Sequence, residues 1–432
     1  MAKKTQAINV PESEFPRIVV VGGGFAGIHF AKAMKNQPYQ VVLLDQNNFH
    51  QFQPLLYQVA TCGIEADGII YPLRKLFSRR GRFIFRMARV EKINAKKKEL
   101  QLDVGRLSYD HLVVATGSTS NFFGNTEIEK HGIGMKTIQE ALQIRTQVLE
   151  CLEEASCSTD LVEREILTNF VIVGAGPSGV ETAGALAEFK SHILEDDYPT
   201  LAPELMKIYL IQSGDIVLKG MSDHASQAAK ADLEKMGVEI LLGHRVTSYD
   251  GRMVKTDQGL ELGARTLVWT AGVKGDVPAG VPEGTMERGN RIGIDGFLRV
   301  RDMPDVYAIG DVASLDDPEW EGGHPQVAQV AIQQGTHLAK NFAGELRGVE
   351  SQPFVYNDRG SMATIGRRSA VADIGKWHSK GFIAWILWGV IHVLSLVGFR
   401  NRLLVFTSWL TNYFTYDRGN RFIVRLDDRH RK

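Results

Sequence analysis

Cysteine is scarce in this chain. Cys62, Cys151 and Cys157 are the only three in 432 residues, and none falls in a C-x-x-C spacing. That argues against a disulfide framework and a structural zinc site, and it suits a reducing compartment; no metal is expected. Charge of one sign is also missing, since 50 Lys and Arg offset 50 Asp and Glu. No net field therefore points to nucleic acid or to a strongly anionic partner. The segment 1–16 has neither an apolar run nor an arginine-rich amphipathic pattern, so it reads as neither a secretory signal nor a transit peptide. Long hydrophobic runs are lacking apart from one stretch near the C-terminus, which leaves no multi-helix membrane domain and so no sign of an ion pump. What is present is ample core material: 44% hydrophobic and 23% charged residues, in a length that suits two or three domains. Glycine is plentiful, 43 against 14 prolines, as phosphate-binding loops and tight turns require.

The glycines are patterned. From Arg17 an apolar run, IVVV, leads into Gly22, Gly23, Gly24, Phe25, Ala26 and Gly27, and a second run, Val41 to Leu44, ends in Asp45. This reads as strand, glycine turn, helix, strand. Gly22 permits the tight turn, Gly24 lets a pyrophosphate approach the backbone, and Gly27 lets helix and strand pack closely, with the helix N-terminus facing the phosphates. Asp45 follows Gly27 by 18 residues, where a carboxylate can bond a ribose hydroxyl. The pattern recurs. Asn169, Phe170, Val171, Ile172 and Val173 lead into Gly174, Ala175, Gly176, Pro177, Ser178 and Gly179, then a helix carrying Glu181, and a later strand ends in Gln212. Between them 189–205 reads as an insertion. Two such units imply two dinucleotides. Two small-residue turns echo one another, Ala115-Thr116-Gly117 and Thr270-Ala271-Gly272, and a further buried strand closes on Gly310-Asp311.

In this order the motifs resemble the two-dinucleotide-binding-domain flavoproteins. The resemblance implies FAD on the first unit, NAD(P)H on the second, and Asp311 bonding the ribityl chain or pyrophosphate. Disulfide reductases and sulfide:quinone reductases of that superfamily need paired cysteines. Cys62 has no near neighbour, and Cys151 and Cys157 precede the second glycine motif, which argues against both.

Two stretches are more specific: NNFHQFQPLLYQVAT at 47–61 and AQVAIQQG at 328–335. With YNDRG at 356–360, GFIAW at 381–385 and YDRG at 416–419, they resemble the type II NADH dehydrogenases, single-chain, non-proton-pumping NADH:quinone oxidoreductases of respiratory electron transport. The resemblance runs over essentially the whole chain after Phe15. It implies that FAD touches Gly22, Gly24, Phe25, Ala26, Gly27, Asp45, Gln53, Pro54, Leu55, Ala115, Thr116, Gly117, Gly310, Asp311, Ala328 and Gln329. It implies that NADH touches Gly174, Gly176, Pro177, Ser178, Gly179, Glu181, Gln212, Ala271 and Gly272. Electrons then pass to a membrane quinone, menaquinone or ubiquinone, near Gln329, Gln333 and the loop from Pro54 to Tyr57. Gln329 and Gln333, spaced i, i+4, would share a helix face; read alone, they are equally polar surface residues. Glu181, in the first turn of its helix, gains from the positive helix end, which is structural as much as functional; the resemblance makes it the catalytic-site acid. His50 reads as a packed or capping histidine. Gln212 departs from the acidic residue usual at that strand end, which removes a repulsion against a 2′-phosphate, so NADPH is expected to be tolerated beside NADH.

The stretch 381–399 has 19 residues without Asp, Glu, Lys or Arg, borderline for crossing a bilayer, but small residues interrupt it and Arg400 and Arg402 follow. Segment 403–414 reads as an amphipathic helix, with Leu403, Phe406, Trp409, Leu410, Tyr413 and Phe414 on one face and Thr407, Ser408, Thr411 and Asn412 on the other. The resemblance implies a region lying on the membrane without crossing it, on the cytoplasmic face of a bacterial inner membrane, with a homodimer as a further role for the same faces. The expected fold is α/β: two Rossmann-like dinucleotide-binding domains, the second inserted in the first, plus a C-terminal amphipathic helical membrane-binding region. The FAD domain would span 1–120 and 275–330, the NAD(P)H domain 121–274, and the quinone- and membrane-binding region 331–432. A membrane-attached FAD/NAD(P)H redox sensor, or a soluble ferredoxin or rubredoxin reductase, are the other readings.

Overall fold

The computed structural model describes residues 6–77, 82–415 and 419–423. Of the motif at 416–419, Tyr416, Asp417 and Arg418 lie outside the described residues, as do the first five residues of the segment read for a targeting signal. Six helices bear the motif and C-terminal residues: α1 (Phe25–Ala33), α2 (Leu56–Ala60), α3 (Pro177–Phe189), α4 (Ala328–Glu345), α5 (Phe382–Ser395) and α6 (Phe399–Thr415).

Contacts divide the chain into two compact units. The first comprises Met1–His50, Tyr71–Thr119 and Val273–Asp358; the second comprises Gln51–Ile70, Ser120–Gly272 and Arg359–Lys432. The seams after Thr119 and Gly272 fall beside the expected ends of the inserted domain. The boundary expected after 330 falls inside α4, which continues to Glu345 within the first unit. The segments 51–70 and 359–432 group with the second unit.

Each unit is built on a five-stranded parallel sheet. In the first unit the order is Val306–Ala308, His111–Val114, Arg17–Val21, Gln40–Asp45, Phe83–Met87. In the second it is Ile133–Gly134, Thr266–Trp269, Asn169–Val173, Lys207–Gln212, Val238–Leu242. The glycine-motif strand is central in both and is buried along almost its whole length, as a parallel strand covered on both faces must be. The strand ending in the Ala-Thr-Gly or Thr-Ala-Gly turn lies beside it in both, so the echo in sequence is an echo in topology.

The C-terminal part of the second unit is an antiparallel sheet, Ser361–Gly366, Ser369–Ile374 and Trp377–Lys380, followed by α5 and α6. The 381–399 stretch forms only 14 helical residues before the chain breaks at Leu396. That is roughly 21 Å of helix against a hydrocarbon layer of ~30 Å, and among the described residues no helix is long and apolar enough to cross a membrane.

Helix α6 turns both Val405 and two asparagines inward. Its inward side carries Asn401, whose amide donates to the carbonyls of Gly68 (2.9 Å) and Ile70 (2.7 Å), and Asn412, which donates to that of Gly63 (2.7 Å). Its outward side exposes Leu403, Phe406, Leu410 and Phe414, each 48% to 72% accessible. Trp409 and Tyr413, expected with those apolar residues, are instead half-buried. Asn401 and Asn412 spend their amides on backbone carbonyls of the segment 63–70, whereas Thr407 and Thr411 bond their own helix and stay exposed beside the larger apolar side chains.

Candidate functional site

The two glycine motifs fold into cradles with the same local pattern. Gly22 and Gly174 both have positive φ, +109° and +102°, and donate to the carbonyls of Leu44 and Ile211 at 2.8 Å each. A side chain on Gly22 would run into the Ala115 carbonyl, and one on Gly174 into the backbone of Ala271. The Ala115-Thr116-Gly117 and Thr270-Ala271-Gly272 turns are thus the walls against which the loops close. A Cβ on Gly27 or Gly179 would run into the carbonyl of Gly22 or Gly174, which fixes these glycines as the close helix–strand contacts. By contrast, Gly24 and Gly176 have nothing within 4 Å of where a Cβ would stand. Each is the N-cap of its helix without a side-chain cap. The first-turn N–H groups of Ala26 in α1 and Ser178 in α3 therefore face the open approach where a pyrophosphate would lie.

The strand-end residues serve the loops directly. The Gly23 N–H donates to Asp45 Oδ2 at 2.6 Å and the Ala175 N–H to Gln212 Oε1 at 3.1 Å. Asp45 and Gln212 are thus equivalent in the two units, each bracing its own glycine loop. Burial pushes the Asp45 carboxyl up, opposed by the Asn47 and Gly23 N–H groups.

Other groups of the first unit also fit a dinucleotide. Thr116 Oγ1 and His50 Nε2 are buried with no hydrogen-bond partner among the described residues, as polar atoms prepared for a ligand would be. His50 Nδ1 faces the Gly23 carbonyl at 3.0 Å, and burial pulls the imidazole down to about 4, so it is neutral and packs against Phe25 edge to face. Ser118 Oγ donates to Asp311 Oδ2 (2.7 Å), and Gln326 Nε2 donates to the Asp311 carbonyl (2.9 Å).

The AQVAIQQG segment is the first two turns of α4. Gln329 Nε2 donates to Asp358 Oδ1 at 3.3 Å. Gln333 is bonded at both ends to Asn357, donating to its carbonyl (2.9 Å) and accepting from its N–H (3.1 Å). The two glutamines do share a face, and that face clasps the segment 357–358. Sequence reading missed Gln334, which is buried and accepts the Gly310 N–H at 2.7 Å, holding the Gly310-Asp311 turn. It also missed Gly335, where a side chain would strike the Ala26 carbonyl. The signal was the doubled Gln followed by Gly, one helical turn beyond the first glutamine.

In the second unit Gln53 begins a 3-10 turn with Pro54 and donates to the Lys136 carbonyl at 3.3 Å, while Leu55 is wholly buried. Glu181 is 8% exposed and accepts the Thr364 N–H at 3.3 Å. Burial pushes its carboxyl up to about 8, against the opposing pull of the Thr364 N–H and the Trp388 indole. Gly184 makes this contact possible, because a Cβ there would run into the Ile365 carbonyl, so only glycine lets α3 press against the strand Ser361–Gly366.

Glu181 lines a cleft that is partly open to solvent. Its walls are Tyr57, Gln58 and Thr61 from α2 and beyond, Ala185 and Glu188 from the same face of α3, Trp385 and Trp388 from α5, and Trp409 and Tyr413 from α6. The lining is chiefly apolar and aromatic, with Glu181, Glu188 and Arg367 as its carboxyl and guanidinium groups, and such a slot suits a planar ligand. The cysteines form no disulfide: Cys62 and Cys151 are buried and Cys157 is exposed.

The family model for pyridine nucleotide-disulphide oxidoreductases matches residues 16–335, and that for the NDH2 C-terminal domain matches 359–416. A type II NADH:quinone oxidoreductase of Mycobacterium tuberculosis is 36% identical over 94% of this chain and 89% of its own. An internal alternative NAD(P)H-ubiquinone oxidoreductase from mitochondria of Arabidopsis thaliana is 30% identical over 93% and 85%. In fold the chain is similar to NDH2 of Plasmodium falciparum solved with NADH, with a TM-score of 0.87, 18% identity, and 95% and 100% of the two chains covered.

Proposed function

The chain belongs to the type II NADH:quinone oxidoreductases, and from that premise we propose how its residues share the work. The protein is an FAD-dependent oxidoreductase that oxidises NADH and reduces a quinone. Bound FAD supplies the two-electron chemistry between the two substrates; the protein supplies alignment, a dry contact and proton management. In our reading the first unit holds FAD through Gly22, Gly24, Gly27, Asp45, Thr116 and Asp311. The second holds NADH through Gly174, Gly176, Gly179 and Gln212. The observation that carries this assignment is the repeated cradle, with an open second glycine and an uncapped helix N-terminus in each unit. The cleft beside Glu181 takes the quinone headgroup, with Glu181 as the neutral acid facing it. Gln333, bonded at both ends to Asn357, and Gln329, bonded to Asp358, position the segment 357–358. Steady-state oxidation of NADH by the FAD-loaded protein, with and without a decyl-tailed benzoquinone, tests the whole. Quinone-dependent NADH loss is expected; a flavin reduced by NADH that no quinone reoxidises would remove the acceptor assignment.

Gln212 governs the choice of nicotinamide. Its amide braces Ala175 as a carboxylate would, without repelling a 2′-phosphate. NADPH is expected to be oxidised as well as NADH. Gln212→Glu should lower kcat/KM for NADPH about tenfold, the scale of one added like-charge contact, while leaving NADH nearly unchanged. Equal losses for both would mean that the variant merely disturbs the loop.

The outward apolar side of α6 supports peripheral binding to a lipid surface, where buried apolar area sets the affinity. Replacing Leu403, Phe406, Leu410 and Phe414 together by Ser should move the protein from the pellet to the supernatant when it is sedimented with phosphatidylglycerol-containing vesicles. A homodimer through the same side is the second reading. A variant that stays on vesicles but turns from dimer to monomer in light scattering would establish that reading instead.

A further inference from the structure

The lining of the cleft includes a short hydrogen-bonded chain across two helices. Trp409 Nε1, on α6, donates to Gln58 Oε1 at 2.7 Å. Gln58 Nε2, on α2, donates to Tyr57 Oη at 2.9 Å. All three residues line the cleft, and Tyr57 is 5% exposed. The sense of the chain is fixed at its first link, because an indole nitrogen only donates. The amide must then present its oxygen to Trp409 and its N–H to the phenol. Tyr57 Oη is thereby an acceptor toward Gln58, and its own proton takes no part in that bond. A quinone offers two carbonyl oxygens at opposite ends of its ring, and a slot that reads both needs a donor at each end. Glu181 supplies one.

We infer that Tyr57 donates a hydrogen bond to the second carbonyl of the quinone, and that Gln58, oriented by the Trp409 indole, is the positioning residue that sets the phenol for it. The inference rests on the reading that this cleft takes the quinone. It also gives the α6 tryptophan a task besides packing: the helix that turns its apolar side outward sets, through one amide, a donor inside the site.

Four FAD-loaded proteins test this: Tyr57→Phe, Gln58→Leu, Trp409→Phe and the double variant Tyr57→Phe/Gln58→Leu. The readouts are KM and kcat for the decyl-tailed benzoquinone, quinone binding by quenching of tryptophan fluorescence, and single-turnover reduction of the flavin by NADH. Each single variant should weaken quinone binding and raise quinone KM about three- to tenfold, the worth of one hydrogen bond, with flavin reduction by NADH unchanged. The double variant should be no worse than Tyr57→Phe alone, because Gln58 acts through the phenol. Additive losses would overturn the positioning role of Gln58. A Tyr57→Phe protein that binds quinone normally would overturn the donor, provided that Trp388→Ala still weakens quinone binding. If Trp388→Ala also leaves binding unchanged, the cleft itself is misassigned and the inference falls with it.

Discussion

Glu181→Gln is expected to slow quinone-dependent turnover by about 100-fold or more, the usual contribution of a positioned acid, while the purified protein keeps its full complement of flavin. Gln retains an oxygen to accept the Thr364 N–H and matches the neutral carboxyl in size, but it has no acidic proton to give. The carboxyl is pushed up to about 8 chiefly by burial, so it is mostly protonated at neutral pH. Quinone turnover in the unaltered protein should therefore hold across neutral pH and decline as the pH climbs past about 8. The same shift acts on stability. The native state binds this proton more tightly than the unfolded chain, whose carboxyl titrates near its ordinary 4.5. That contribution is complete below about 4.5 and is lost as the pH rises through about 8. Between pH 6 and pH 9 the Tm of the unaltered protein should fall further than that of Glu181→Gln. A variant with normal turnover and the same pH dependence of Tm would remove Glu181 from proton handling.

The glycine motifs were readable because their function is steric. A turn with positive φ, an open approach and a close helix contact each demand glycine, so the residue type reports the geometry. Asp45 and Gln212 were readable as strand ends. The loop bonds they make were not, because nothing in the sequence says which backbone N–H a side chain will meet. Gln329 and Gln333 show the limit of spacing: i, i+4 puts both on one face, and only the fold shows that Asn357 and Asp358 lie against it. Gly184 and Gln334 went unremarked because an isolated glycine in a helix and a second glutamine in a pair look ordinary until a carbonyl or a turn is placed beside them. Helix α6 misled in part for a related reason. Apolar periodicity finds an amphipathic helix but does not say which side faces the protein, and Trp409 and Tyr413 turned inward because the cleft gave their rings walls and their polar atoms partners.

The two glycine classes should separate folding from cofactor binding. Gly27→Ala adds a methyl group that would strike the Gly22 carbonyl, and that carbonyl belongs to a loop already closed against Ala115. Neither side can retreat without parting α1 from its strand, so the variant should be recovered largely without flavin and with a Tm lower by several degrees, an overpacking cost of about 1–3 kcal/mol. Gly24→Ala meets nothing within 4 Å, and its φ of −73° is open to any residue. The apoprotein should therefore keep its Tm. The added methyl group stands instead where the pyrophosphate must approach, so FAD affinity should fall by at least tenfold when flavin is titrated back and its fluorescence quenching followed. The second unit repeats the contrast: Gly176→Ala should leave both folding and flavin intact and raise KM for NADH. If Gly24→Ala bound FAD normally, the pyrophosphate could not lie against α1, and the assignment of the first cradle to the flavin would have to be given up even though the fold around it stands.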